Sequence, residues 1–414
     1  MRKIIAAVVA AAALGLAGTS VGASAATENS GWWQTNSNAA QSRANLTEKV
    51  LTPTAVTKVK HLRSVLAQSY PKNSYCGPGS VIAPVLAGGY LYAVTNYKLS
   101  KYNAATGKLI WRSVPDSGFT SYFESLAVSG NLVIVGGGDC LSVSEPSSLL
   151  MAFNATTGAL VWKSGDAAAF TGLGGAVVSG SYVVTAGASA DGYFTAVFNV
   201  SNGKLVWGHW DCGNGNASYL PLVVDQRVLG YSCDSQGNEE VVAYNLATGA
   251  TAWRLPAGNW QLQLGDQGGS AGKHLYVTNP SGEVVDLNPA TGQKVYPLPK
   301  GTTVLAVDNS RVYVGDNSSG ALYAYNVSTG TLEWTNRWAG TTPPSAERQS
   351  FAEADGVLYL WAPDNGYALS ASTGKVLKLL WSSASQPTAL AVGDGRIAVV
   401  SEPRVVDLYG LSGY

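Results

Sequence analysis

The sequence predicts an all-β protein, a β-propeller of about eight four-stranded blades closed by an N-terminal strand, and three observations carry that prediction. A ten-residue unit recurs seven times at intervals of about 44 residues. A second hairpin signal precedes most copies. The final repeat ends one strand short, whereas an unmatched strand-like segment stands ahead of the first repeat. A period of this length belongs to solenoids, propellers and related arrays.

The recurring unit is YNAATGKLIW at 102–111, followed by FNATTGALVW at 153–162, FNVSNGKLVW at 198–207, YNLATGATAW at 244–253, LNPATGQKVY at 287–296, YNVSTGTLEW at 325–334 and LSASTGKVLK at 369–378. In each, an apolar residue ends a strand and small polar residues lead into a Thr-Gly or Asn-Gly turn. Glycine suits a positive-φ turn position, and Asn and Thr side chains bond nearby backbone. A further alternating strand then runs to Trp. The other hairpin signals are LAGGYLYAVT at 86–95, VSGNLVIVGG at 128–137, VSGSYVVTAG at 178–187, VDNSRVYVGD at 307–316 and ADGVLYLWAP at 354–363. Two hairpins make a four-stranded blade, and blades arranged radially expose only short edges.

The pattern A-x-N-x-x-T-G-x-x-x-W after a G-x-x-Y-V strand resembles the pyrroloquinoline-quinone (PQQ) enzyme-like propeller repeat, over nearly all of the mature chain. The resemblance implies the propeller fold. It also implies one of two functional classes, quinone-dependent dehydrogenases or non-catalytic scaffold and binding propellers. The dehydrogenases usually carry an adjacent Cys-Cys disulfide against the cofactor, a Glu, Asn and Asp set for calcium, and a catalytic Asp. This chain has no Cys-Cys pair.

Residues 1–25 have a basic start, a short apolar run and a closing Ala-Ser-Ala, which predicts a secretory signal peptide cleaved before Ala26. Residues 26–67 lack the blade pattern and resemble the lead-in of the same family. Their end, 58–66, has the length and alternation of an outermost strand. The repeat at 390–414 supplies three strands and stops, so lending it the 58–66 strand removes a free sheet edge. A seven-bladed ring with 390–414 as an appendage is the alternative. Residues 68–414 form the propeller, one domain together with the lead-in.

Lys plus Arg number 26 and Asp plus Glu 26, so no basic surplus is available for nucleic acid. After the leader no run of about 18 apolar residues occurs. A secreted or extracytoplasmic monomer without a membrane span is expected.

Six tryptophans, Trp111, Trp162, Trp207, Trp253, Trp334 and Trp381, are assigned to the repeat position, where core packing explains them. Trp210, Trp260 and Trp338, with Phe119, Tyr122 and Phe170, are assigned to connections between blades, all on one face. There they form a candidate ligand-binding ring, or else pack long loops against blades. Glu124, Asp266 and Arg348 are the polar candidates at that mouth, with solvated channel residues as the other reading. The four cysteines allow three pairings, and only Cys76 with Cys140 and Cys212 with Cys233 avoids spanning distant blades. Three histidines without H-x-x-x-H, C-x-x-C or C-x-x-C-H spacing predict no metal site and no attached haem. No catalytic residues and no cofactor are expected.

The resulting expectation is a non-catalytic module that binds a carbohydrate, a peptide or an envelope protein. The alternative is a PQQ- and calcium-dependent dehydrogenase acting on an alcohol or sugar. A lyase or hydrolase using Glu124 and Asp266 as acid and base is the third reading.

Overall fold

The computed structural model describes residues 30–67, 82–95, 98–114, 121–139, 148–165, 167, 175–189, 192–211, 220–256, 258, 260–262, 270–316, 318–337, 351–362, 365–382, 387–402 and 404–412. They form eight antiparallel sheets arranged as an eight-bladed propeller, with one short 3-10 turn at Ala55–Lys58. Blade 1 runs from inner to outer strand as Val85–Ala87, Tyr90–Val94, Leu99–Asn103 and Leu109–Ser113. Six further blades repeat this order. In blade 5 the inner position is split between Gln261–Leu262 and Ser270–Ala271, both paired with His274–Thr278. Blade 8 has the inner strands Ala389–Gly393, Arg396–Glu402 and Val405–Gly410, and its outer strand is Lys60–Leu66 from the lead-in. The predicted closure and the count of eight are both observed.

One contact joins neighbouring blades around the ring. In the first six blades the aromatic residue of the outer strand packs against the glycine of the next blade's Thr-Gly or Asn-Gly turn and donates a hydrogen bond to a carbonyl beside it. Trp111 Nε1 donates to Ala155 O at 3.1 Å, Trp162 to Val200 O at 3.1 Å and Trp207 to Leu246 O at 2.8 Å. Trp253 donates to Pro289 O at 2.8 Å, Tyr296 Oη to Val327 O at 2.8 Å and Trp334 to Ala371 O at 3.0 Å. The glycine is required on two counts. Gly158 has φ of +75°, and a Cβ there would lie 2.7 Å from the Trp111 ring. Three interfaces add a second bond two residues further on, from Ser113 to Gly158 O, from His209 to Gly249 O at 2.8 Å and from Asn336 to Gly374 O at 2.7 Å.

The ring closes with different side chains. At the seventh outer strand the repeat position belongs to Lys378, whose ammonium donates to Thr57 O at 2.9 Å and to Val59 O, just ahead of the closing strand. Trp381 was assigned that position by sequence, and the assignment is corrected here. It lies three residues later and packs on Tyr409 of blade 8, ring centroids 5.1 Å apart. A β-bulge between Leu379 and Trp381 lies beyond the repeat position and sets the indole opposite Gly366. On the far side of blade 8, Arg63 of the closing strand packs against Gly107 of blade 1 where other interfaces use an aromatic ring.

Ahead of the closing strand, residues 30–45 form a girdle that touches the inner strand of every blade in turn. Ser30 O accepts from Asp394 N in blade 8 at 3.0 Å, and Trp32 exchanges two backbone bonds with Leu86 in blade 1. Blade 2 is held through Val128 N to Trp33 O at 2.8 Å and Thr35 N to Leu126 O at 2.9 Å. In blade 3 the Gln34 side chain takes over, bonding both the N–H and the C=O of Val178 at 2.8 and 3.1 Å. Ala39, Ala40, Ser42 and Arg43 then offer their carbonyls to Val223, Ser270, Val307 and Glu353 of blades 4 to 7, at 2.7 to 2.8 Å. Ala44–Asn45 adds a short parallel strand to Phe351–Ala354. Asn45 Nδ2 finally reaches both Val392 O of blade 8 and Ser30 O, each at 2.8 Å, so the girdle meets its own start.

Turning a full circle in so few residues forces unusual backbone. Asn36, Ser37, Gln41 and Arg43 all have φ between +51° and +77°. Such residues cost about 1–3 kcal/mol each unless their surroundings hold them. Here they are held: Asn36, Gln41 and Arg43 are almost fully buried, and Asn36 Nδ2 donates to Gln41 Oε1 at 2.8 Å.

Two expectations follow for stability. Trp111→Ala, which empties one interface, lowers stability by about 3–5 kcal/mol in denaturant unfolding; Leu109→Ala, at an exposed neighbour of the same strand, leaves it nearly unchanged. Deleting residues up to Leu66 removes girdle and closing strand together, and the truncated chain loses cooperative unfolding. A truncated protein that melts like the full chain contradicts this closure.

Candidate functional site

Strand direction divides the propeller into two faces. Turns between first and second strands share one face with the Thr-Gly turns; loops between second and third strands share the other with the connections between blades. The girdle bonds to the turn-face ends of the inner strands, so it fills that end of the central channel. The mouth left for a ligand is on the connection face.

On that face, blades 3 and 4 bring a cluster of aromatic and carboxylate groups together. The third strand of blade 3, Gly192–Asn199, starts here with Tyr193, and its outer strand Leu205–Asp211 ends here. In blade 4, Arg227–Cys233 ends here and Glu239–Asn245 begins here, with Cys233 opposite Glu239 and Ser232 opposite Glu240. Tyr193 Oη donates to Glu239 Oε2 at 2.7 Å across the blade boundary, and its ring lies 5.2 Å from that of Tyr231. Tyr231 Oη accepts from Leu262 N at 2.9 Å, tying blade 4 to the entrance of blade 5. Burial pushes the Tyr231 phenol up to about 12, with Glu239 adding to the shift. Burial and then the hydrogen bond to Glu239 raise Tyr193 as well. Both phenols are therefore protonated donors at neutral pH.

Beside them runs a second polar chain. Asp211 accepts from Ser232 Oγ and from Tyr244 Oη, each at 2.9 Å, and Arg254 bonds Ser232 Oγ at 3.2 Å and pairs with Glu240. These groups are matched to one another and hold the blade 3–blade 4 boundary in register. The arrangement offers flat aromatic surface, hydrogen-bond acceptors and negative charge. Among the described residues no group of three or more His, Cys, Asp or Glu could hold a metal ion.

The residues singled out from sequence are distributed as follows. Trp260 lies in the connection between blades 4 and 5, half-buried beside Tyr231 and Leu262, with Nε1 donating to Pro256 O at 2.9 Å. Trp210 is corrected from a connection to the outer strand of blade 3, opposite Phe194; it is 47% exposed, with ring centroids 5.7 Å from Phe194. Tyr122 is likewise within a strand, Ser121–Ser129, opposite Gly138. Glu124 occupies the bulge in that same inner strand. Phe119, Phe170, Trp338, Asp266, Arg348, Cys76, Cys140 and Cys212 lie outside the described residues. Cys233, expected in the loop between second and third strands, instead ends the strand Arg227–Cys233 and is disulfide-bonded, its partner lying outside the described residues.

Tyr193, Tyr231 and Glu239 were not among the sequence candidates. They lie within strands of ordinary blade pattern, and nothing in their spacing marks which strand end faces the mouth of a neighbouring blade. No cysteines are adjacent in the chain, and the described residues supply no calcium-ligating group.

Comparison with known proteins places this geometry in context. The chain is 24% identical over 349 residues to a tetrathionate hydrolase of Acidithiobacillus ferrooxidans, a match covering 72% of this chain and 66% of that one, just under two thirds of the relative's length. Among solved structures it resembles BamB from Moraxella catarrhalis, with a TM-score of 0.56 and 18% identity over 85% of this chain and 100% of that one. It also resembles a quinohemoprotein alcohol dehydrogenase from Comamonas testosteroni, with a TM-score of 0.62 and 14% identity over 94% and 82%. Those two likenesses establish the fold. The family described as outer membrane protein assembly factor BamB matches residues 17–210, 146–303 and 297–412. The chain therefore belongs to this BamB family of PQQ-repeat β-propellers.

Proposed function

We propose that the protein is a non-catalytic extracytoplasmic propeller that binds its partner through the connection face. The observation that carries this reading is the Tyr193–Glu239–Tyr231 cluster at the boundary of blades 3 and 4, on the connection face, away from the girdle. Flat aromatic groups beside a carboxylate suit a sugar ring or a peptide, and rigid strand ends fix them at low entropic cost. Membership of the BamB family favours an envelope protein or peptide over a carbohydrate. Export through the predicted leader and the pairings Cys76 with Cys140 and Cys212 with Cys233 belong to the same reading, as does a monomer without a quinone.

The second reading, a PQQ- and calcium-dependent dehydrogenase, draws on the likeness to the quinohemoprotein alcohol dehydrogenase. A hydrolytic activity on tetrathionate is suggested only by the partial match to that hydrolase. One experiment separates them from binding. Exported protein incubated with PQQ and calcium is expected to take up no stoichiometric quinone absorbance, to show no dye-linked oxidation of alcohols or sugars, and to leave tetrathionate unconsumed. Quinone uptake with turnover, or consumption of tetrathionate, overturns the binding reading.

On a panel of glycans and envelope peptides, Trp260→Ala is expected to weaken binding of the selected member by about 1–3 kcal/mol, the scale of a lost aromatic hot spot, with an unchanged melting temperature. A lowered melting temperature with affinity intact assigns Trp260 to packing instead. Non-reducing peptide mapping checks the disulfides, and free thiols in exported protein contradict them.

A further inference from the structure

A separate cavity of about 360 Å³ opens on the turn face, between blades 6 and 7 and beneath the lead-in. Its floor is acidic. Asp308, at the turn of blade 6, is fully engaged: its carboxylate accepts from Ser310 N, Arg311 N and Tyr313 Oη at 2.5 to 2.7 Å. Glu353, at the end of the blade 7 inner strand, is only 4% exposed. One of its oxygens accepts from Gly356 N at 2.9 Å; the other has no protein partner among the described residues and borders the cavity. Asp355 stands beside it, with Oδ1 4.0 Å from Lys49 Nζ and Oδ2 buried without a hydrogen bond.

The charges around these two oxygens are accounted for elsewhere. Arg311 is held by Glu333 at 2.6 Å, and Glu48 is held by the N–H groups of Val50 and Gly395 at 2.7 and 3.0 Å. Lys49 also donates to Leu46 O at 3.1 Å and is otherwise turned to solvent. Glu353, almost wholly buried with one oxygen undonated, and Asp355 beside it give the cavity two carboxyl groups that a ligand bringing donors would satisfy. A metal ion is a poor match, since the described residues assemble no ligating group of three. A neutral polyol brings donors but leaves the negative charge unbalanced.

We propose that this cavity binds a primary alkylammonium group, as on a lysine side chain or a diamine, between the undonated oxygen of Glu353 and the carboxylate of Asp355. Three N–H donors and one positive charge match those acceptors, and the volume admits the attached chain. The protonation state of Glu353 gives the site a signature. Burial first, and then repulsion from Asp308, raise this carboxyl to about 8, so it carries a proton at neutral pH when the cavity is empty. An ammonium beside it favours the charged form, and the proton leaves to buffer as the ligand enters.

The test is calorimetry of the full mature chain at about pH 7, in two buffers of different ionisation enthalpy, with 1,4-diaminobutane, Nα-acetyl-lysine amide and 1,4-butanediol as probes. Both amines are expected to bind, the diol at least roughly tenfold more weakly, with about one proton released per amine. The tighter of the two amines identifies the source of the group. Asp355→Asn is expected to weaken amine binding by roughly tenfold or more, since it removes the charged partner of the ammonium. Glu353→Gln, which keeps an acceptor for Gly356 N, abolishes the proton release. Equal binding of diol and diamine, heat of binding independent of buffer in the unaltered protein, or an Asp355→Asn variant that binds diamine as the parent does would each overturn the proposal.

Discussion

A closed ring of eight sheets has eight interfaces, and each must be satisfied by whatever side chain the local sequence provides. Six are closed by an outer-strand Trp or Tyr packed on the next turn's glycine and bonded to its neighbouring carbonyl. The two that flank the chain's closure use cations, Lys378 reaching the carbonyls of Thr57 and Val59, and Arg63 covering Gly107. For Lys378 the exchange is intelligible, because blade 8 lacks the Thr-Gly turn that an indole would need; Arg63 covers such a turn with its aliphatic stem. A long flexible side chain ending in donors can reach carbonyls of an irregular segment that a planar ring cannot.

The same economy shapes the central channel. Inner strands carry unpaired edge groups, and in a propeller these face the axis. The girdle answers them blade by blade from one end, at the expense of four residues in the left-handed region. Filling one mouth gives the molecule a polarity that the repeats alone do not have. Diversity then accumulates on the other face, where loops and connections differ in sequence from blade to blade, and there Tyr193 of one blade meets Glu239 of the next.

Much of this was legible in the sequence. The repeat of YNAATGKLIW pointed to about eight blades, with seven as the alternative, and to their strand order; the missing strand after Val405–Gly410 pointed to the role of Lys60–Leu66. Repetition makes such inferences strong, since seven copies average out local noise. Three features escaped. The girdle has no periodic pattern, because each of its contacts uses backbone groups that any residue carries. Trp381 drew the repeat assignment as the one indole of its strand, although the unit LSASTGKVLK ends on Lys378. Trp210 was placed in a connection because its strand runs on past the repeat Trp, and Tyr122 because the inner strand of blade 2 begins ahead of its hairpin pattern; nothing in their side chains marks where pairing starts or stops. The cavity above Glu353 was invisible for a related reason, as its groups come from the lead-in and two separate blades.

The central claim is that the girdle makes eight separable sheets into one cooperative unit, and native-state hydrogen exchange measures this directly. The amides of Leu86, Val128, Val223, Val307 and Glu353 each donate to the girdle from a different blade. They are predicted to exchange only through global unfolding, with one shared free energy equal to that from denaturant melts and one shared denaturant dependence. Separate lower values that differ from blade to blade, with the girdle amides of Trp32 and Thr35 opening first, would show that the blades come apart individually and that the girdle is an accessory to a ring already closed without it.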